Sequence, residues 1–511
     1  MTYLLGVDIG TTGAKAIVID GAGVVVASAT SAYTFATPRP LWAEQHPSDW
    51  WTGTVTSIRR VLQSVNAREV VGVGLTGQMH GLVLLDTDGT VLRPCIMWND
   101  QRTGAQCEAI TQQIGARQLL DWIANPVLPG FTAPKIIWVR EHEPEVYARI
   151  AHVLLPKDYV RYRLTGTYAT EVSDASGTAL FDVRHRQWSA EMLAALDIPR
   201  AWLPGCFESP VVSANISREA ASATGLIAGT PVVGGGGDQA AQAVGSGIIR
   251  AGITSVTLGT SGVVFAATEN FAREPDGRLH AFCHAVPNQW HLMGVMLSAA
   301  GSFRWFRDAL GETERAQAAA TGANVCDLLT AEAATAPAGC EGLLFLPYLS
   351  GERTPHPDPN SRGVYFGLTL RHQKAHLIRA VLEGVTYGLR DSLELMRALG
   401  LSITQVRASG GGARSALWRQ ILADVFATEI VTVNVTEGAA YGAALLAGVG
   451  ADVYRDVADA CARTIRVTDA IAPSDSQRIY ADYYPLYRAL YPALAPHFKE
   501  LSAIAARNDS Q

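Results

Sequence analysis

A short pattern occurs twice in this chain, each time between two runs of strand-forming residues. Asp8-Ile9-Gly10-Thr11-Thr12-Gly13 interrupts the apolar stretch from Leu4 to Asp20, and Thr257-Leu258-Gly259-Thr260-Ser261-Gly262 interrupts a similar stretch from Ile253 to Ala266. β-Branched and apolar residues resume after each turn, so each copy predicts a β-hairpin. Glycine-rich nucleotide loops of the GxxxxGK[ST] or GxGxxG kind open a helix instead, and the first turn carries neither pattern. A hairpin tip can present backbone N–H groups and the hydroxyls of Thr11, Thr12 and Thr260 to an anion; the alternative is an ordinary glycine-rich hairpin. Asp8 adds a carboxylate where a Mg²⁺ bridging phosphates can be held, and Thr257 stands at that place in the second copy. One hairpin repeated half a chain apart predicts two related domains facing each other, with a nucleotide's phosphates between the turns.

Composition narrows the class. The chain has 511 residues, 48% hydrophobic and 17% charged, enough for two large domains with full cores. A net charge of −6 and the absence of a basic cluster argue against a nucleic-acid surface. Met1-Thr2-Tyr3 leads straight into a strand, so no signal peptide is expected, and the uncharged stretch from Ala251 to Thr268 reads as two strands rather than a membrane span. Seven cysteines without a CxxC predict free thiols in a reducing, cytoplasmic setting.

Three further motifs bear chemistry. Val70 to Thr76 reads as a strand that ends in Gly77-Gln78-Met79-His80-Gly81, exposing an amide, a thioether and an imidazole to a crevice. Such groups suit sugar hydroxyls and a carbon skeleton; a lone histidine is equally a structural one. Thr230 to Val233 reads as a short strand reaching Gly234-Gly235-Gly236-Gly237, after which Asp238 opens an Ala-rich helix. An acid there is held ionised by the helix dipole and can accept a hydroxyl proton, or it is simply an acidic cap. Val406 to Ser409 enters Gly410-Gly411-Gly412-Ala413, a turn on which a base or ribose can lie.

The two turns together with these motifs resemble the FGGY carbohydrate kinases, and the match to the branch acting on xylulose runs through nearly the whole chain. The resemblance implies two ribonuclease-H-like α/β domains of the actin, hexokinase and heat-shock ATPase superfamily around a central cleft, spanning residues 1–245 and 246–511. It implies ATP-dependent phosphorylation of D-xylulose, with Asp238 as catalytic base and Asp8 anchoring Mg²⁺. Thr11, Thr12, Lys15, Gly259 and Thr260 would hold phosphates, and Gly411, Gly412 and Ala413 the adenosine. Gln78, Met79, His80, Asp238 and Gln239 would hold the sugar. Gln239 departs from the commoner Asn of that branch, which bears on fine selectivity. A homodimer is what relatives suggest. The rivals are a kinase for another ketose or polyol, and an actin-like or chaperone-like ATPase with no sugar substrate.

Several structural expectations complete the reading. Ser48 caps a helix running to about Gln63, with Trp50 and Trp51 buried. Leu82 to Leu85 and Val91-Leu92 form a second hairpin. Trp98-Asn99-Asp100-Gln101-Arg102 resembles the family's loop beside the sugar site and is carried as a supporting match, since charged loop tips are usually solvated; the polar residues of Lys157-Asp158 and Ser173-Asp174 read as helix starts and caps without chemistry. Cys283-His284 is a buried structural pair rather than a metal site, and Phe345 to Gly363 packs within the C-terminal domain.

Overall fold

The computed structural model describes residues 1–508 and contains two mixed sheets with the same central strand order. In the first, Tyr3–Ile9 is flanked on one side by antiparallel Gly13–Asp20 and then Val25–Ala32. On its other side lie parallel Val70–Gly77 and Pro231–Val233, with Val212–Asn215 at the edge. In the second, Ile253–Leu258 takes the central place. Gly262–Thr268 and Trp290–Met296 run antiparallel on one side, and Gln405–Ser409 and Glu429–Val433 parallel on the other. His280–Cys283 and Val467–Ile471 form its edges. Both expected hairpins are present, and each starts the central strand pair of its sheet.

The central strand Tyr3–Ile9 is covered on both faces and therefore reads as a nearly unbroken apolar run. One of its covers comes from the far end of the chain. The small-residue helix Ala439–Gly450 lies on the first sheet so closely that a Cβ at Gly6 or Gly74 would collide with the carbonyls of Ala440 and Ala443. Beside it packs the helix Asp238–Gly245, whose Ala241 carbonyl leaves no room for a Cβ at Gly442. Leu4, Ile17, Val244, Ala444 and Leu445 share one buried cluster, so the two halves are joined through a common core.

The C-terminal half adds the helices Lys374–Ala398, Ala416–Phe426 and Gln477–Asn508. Other expectations fare variously. The cap of the first helix is His46, not Ser48: its Nδ1 accepts from Ser48 N at 3.3 Å, and Pro47 occupies the first helical position of Pro47–Val61. A proline lacks only an N–H that has no helical partner there, so the cap falls on the residue before it. Trp50 is buried, whereas Trp51 is only half-buried. The strand Val83–Leu85 pairs with His152–Leu154 and meets Val91 through a single bridge, so no regular second hairpin forms. All seven cysteines are free, and no described helix is long and apolar enough to cross a membrane.

Candidate active site

The first turn closes with a Gly10 N–H to Gly13 O bond of 3.0 Å and is buttressed from outside itself. Trp98 Nε1 donates to Thr11 Oγ1 at 3.0 Å, Gln45 Nε2 to Thr11 O at 3.1 Å, and the Tyr33 hydroxyl to Gly10 O at 2.8 Å. Thr12 is exposed at the tip. The Trp98–Arg102 segment is thus anchored at Asp100 and Arg102, while Trp98 and Gln101 stay exposed. Asp100 is fully buried, accepts from Ala43 N at 2.6 Å, and is bound by the Arg102 guanidinium, which lies 3.7 Å over the Trp42 ring. Mutual pairing and a backbone donor offset the desolvation that would otherwise keep both charges in water. Gln78, expected at the sugar, is buried and turned toward the turn, donating to Gln45 Oε1 at 3.1 Å and weakly to Gly10 O at 3.5 Å.

Strand register brings the two candidate acids to one place. Asp8 pairs with Thr76 on the parallel neighbour, and Thr76 pairs in turn with Gly236, so Asp238 begins its helix two residues past this row. Ligands of open α/β sheets bind at such carboxyl ends of strands. Burial raises the Asp8 carboxyl to about 7, with the nearby Asp238 charge adding to the rise and Lys15 opposing it. Burial likewise raises Asp238 to about 6, against hydrogen bonds led by Gln239 N, which donates to Asp238 Oδ1 at 2.8 Å. Desolvation thus outweighs the stabilising donors at the helix start, and Asp238 is ionised only above about pH 6. Gln239 stands beside it, half-buried.

His80 follows Met79, which packs on Gly237, the residue before Asp238. Met79 is buried, and its sulfur fills the space that a Cβ on Gly237 would need. His80 has φ +69°, and its Nδ1 lies 2.7 Å from Gly177 O, so Nδ1 carries the proton and Nε2 is left as an acceptor. Its ring stacks on Phe131 at 4.8 Å. Burial lowers the ring to about 3, with the charges of Lys135 and Arg353 adding to the fall, and His80 is neutral at physiological pH.

Across the cleft, Gly259 and Thr260 of the second turn line a cavity of about 320 Å³ with Gly411, Gly412, Phe303 and Asn324. Arg304 donates to Thr260 Oγ1 at 3.0 Å. Ala413 faces a neighbouring cavity of about 530 Å³ instead, together with Thr257 and Ser409. Lys15, expected on phosphates, is ion-paired with Glu437. Cys283 and His284 hold no metal arrangement: His284 Nε2 faces Ile248 O at 2.8 Å and its Nδ1 accepts from Val286 N.

Two family models cover most of the chain: the N-terminal domain of the FGGY family of carbohydrate kinases matches residues 3–245, and the C-terminal domain matches residues 254–451. The chain belongs to the FGGY family of carbohydrate kinases. It is similar to the xylulose kinase of Escherichia coli, at 42% identity over 96% of this chain and 99% of that protein. It is also similar to the xylulose kinase of Bacillus subtilis, at 37% identity over 98% of each. A crystal structure of xylulose kinase from Rhodospirillum rubrum superposes with a TM-score of 0.90 at 31% identity, covering 97% of this chain and 100% of that one. As an FGGY kinase it has the family's two-domain α/β fold and is an ATP-dependent sugar kinase.

Several residues of this FGGY kinase site escaped the sequence reading. Gln45, in the short strand Glu44–Gln45, and Trp98 reach the first turn from distant segments, which no local pattern announces. Arg353 lies in the loop assigned to packing. Thr354 N docks that loop on Val295 O at 3.1 Å, and the Arg353 charge is felt by both His80 and His280. Asn324 and Arg304 belong to segments with ordinary helical patterns.

Proposed function

We propose that this protein transfers the terminal phosphoryl group of ATP to the terminal hydroxyl of D-xylulose, giving D-xylulose 5-phosphate and ADP. One observation carries the reading: strand register sets Asp8 and Asp238 at the same sheet end as Met79 and His80. The sugar lies between Met79, the Nε2 acceptor of neutral His80, and Asp238, with Gln239 beside them; Gln78 acts by supporting the turn. Asp238, deprotonated above about pH 6, takes the hydroxyl proton as the oxygen attacks phosphorus. Thr11, Thr12 and Lys15 on one side, and Gly259 and Thr260 on the other, hold the phosphates, while Gly411, Gly412 and Ala413 flank the adenosine.

The donor set suits Mg²⁺. Among the described residues no group of three or more His, Cys, Asp or Glu side chains forms an all-protein metal cage. Asp8 is a half-buried carboxylate pushed up by desolvation and then by a like charge, and a carboxylate plus phosphate oxygens and water is how Mg²⁺ is commonly bound. When bound there, Mg²⁺ supplies charge neutralisation to the phosphates. Domain boundaries at 245/246 and a cytoplasmic location, consistent with seven free thiols, complete the proposal.

The test is coupled ADP release with D-xylulose, D-ribulose, L-ribulose, glycerol or no sugar, on wild type and Asp238→Ala. Turnover with D-xylulose that vanishes in the variant supports substrate and base together. Preference for another sugar removes the xylulose assignment, and sugar-independent hydrolysis untouched by the variant removes the sugar-kinase reading.

A further inference from the structure

The glycine run before Asp238 has no side chains with which to hold itself in place. Gly235 adopts φ +73° and presses on Leu75 O, and Gly237 packs on Met79. The run is gripped instead from behind, by charges that never meet solvent. At its start, the Arg161 guanidinium donates to Val233 O at 2.9 Å and also to Gly234 O and Ser213 Oγ. At its end, the Gly237 N–H points at Glu171 Oε1 at 3.1 Å and Ser173 Oγ at 3.0 Å. Gly237 is the residue immediately before Asp238.

Glu171 is itself held on every side. It accepts from Asp174 N at 2.8 Å, Ser173 N at 2.7 Å, Ser173 Oγ at 2.9 Å and Ser209 Oγ at 3.0 Å. Lys157 lies 3.7 Å from it, 2.7 Å from Asp158 and 3.3 Å from Asp174. The side chains of Lys157, Asp158, Arg161, Glu171 and Asp174 are all fully buried. Burying five ionisable groups is expensive unless they are closely paired and hydrogen-bonded, and stability by itself is poorly served by such a cluster. Its outputs are two grips on one loop.

We propose that Glu171, Ser173 and Arg161 are positioning residues for phosphoryl transfer, a buried clamp that fixes the Gly234–Gly237 backbone and so aims the Asp238 carboxylate. The proposal rests on the reading of Asp238 as the base. Misplacing a reacting group by about 1 Å can lower a rate about a hundredfold, so a loosened clamp acts on kcat. It leaves the nucleotide cavity, which lies on the other sheet, untouched.

The experiment measures kcat, both KM values and the pH dependence of kcat/KM for wild type, Glu171→Gln, Ser173→Ala and Asp238→Asn. Expected for Glu171→Gln is a kcat loss of about ten- to a hundredfold with the KM for ATP within about twofold. Water admitted around a loosened Asp238 also moves the acid limb of kcat/KM downward. Ser173→Ala removes one hydroxyl, folds normally, and gives a smaller loss with the same signature. Should Glu171→Gln fail to fold, Ser173→Ala decides. Unchanged kcat and acid limb in Ser173→Ala and in a folded Glu171→Gln overturn the clamp while leaving Asp238 as the base. Full activity of Asp238→Asn overturns the base reading itself.

Discussion

Lys15, on the strand leaving the first turn, is ion-paired with Glu437, in the loop before the helix Ala439–Gly450. Both side chains are about a quarter exposed, at 29% and 23%, and the pair ties the first hairpin to the C-terminal half. Such partly exposed pairs contribute about 1 kcal/mol or less, which makes Lys15 easily drawn to a phosphate. Glu437→Gln is expected to lower the KM for ATP by about twofold or more, while Lys15→Ala raises it several-fold. Steady-state kinetics with varied ATP checks both; an ATP KM indifferent to both changes would remove Lys15 from the phosphate site.

The elevated acid groups predict how rate varies with pH. A general base and a metal-holding carboxylate both work deprotonated, so kcat/KM is expected to fall below about pH 7 as Asp8, and then below about pH 6 as Asp238, take protons. His80, lowered to about 3, is already neutral and adds no further limb in that range. A rate profile flat down to pH 5 would contradict the assignment.

Asp8 makes the opposite statement about stability. Its folded carboxyl titrates near 7 against an ordinary value of 3.8, so between those values the folded protein holds a proton that the unfolded chain has released. Stability contributed by protonated Asp8 is therefore full at low pH and is lost as pH rises toward 7. Asp8→Asn is expected to be more stable than wild type at pH 8, by about 2 kcal/mol, and equal to it at pH 4. The same variant should lose turnover and the thermal shift that Mg-ATP gives the wild type. Melting curves at the two pH values, with and without Mg-ATP, read out both effects.

Gly411 offers a way to fill the nucleotide cavity without disturbing the fold. It has φ −61°, a Cβ there meets nothing within 4 Å, and it lines the cavity shared with Gly259 and Thr260. Gly411→Val is expected to raise the KM for ATP about tenfold or more, with the melting temperature nearly unchanged. Gly74→Ala is the contrasting case. Its Cβ would strike the Ala443 carbonyl, so it should cost about 2–3 kcal/mol by forcing the helix Ala439–Gly450 off the sheet. Denaturant melts of the two variants separate cavity from core.

Much of this protein is local in origin and was legible in the sequence. The two hairpins, the strand into Gln78-Met79-His80, the helix opened by Asp238 and the triple-glycine turn each follow from residues adjacent in the chain. Turn chemistry, β-branched runs and apolar periodicity act over a few residues, so their pattern suffices. The tertiary structure alone decided which distant groups meet. Trp98 reaches Thr11, Glu437 takes Lys15, Arg353 sends its charge to His80, and Glu171 holds Gly237. It also decided the acidities of Asp8 and Asp238, because desolvation belongs to the environment that the fold builds around a residue, not to the residue and its neighbours in sequence.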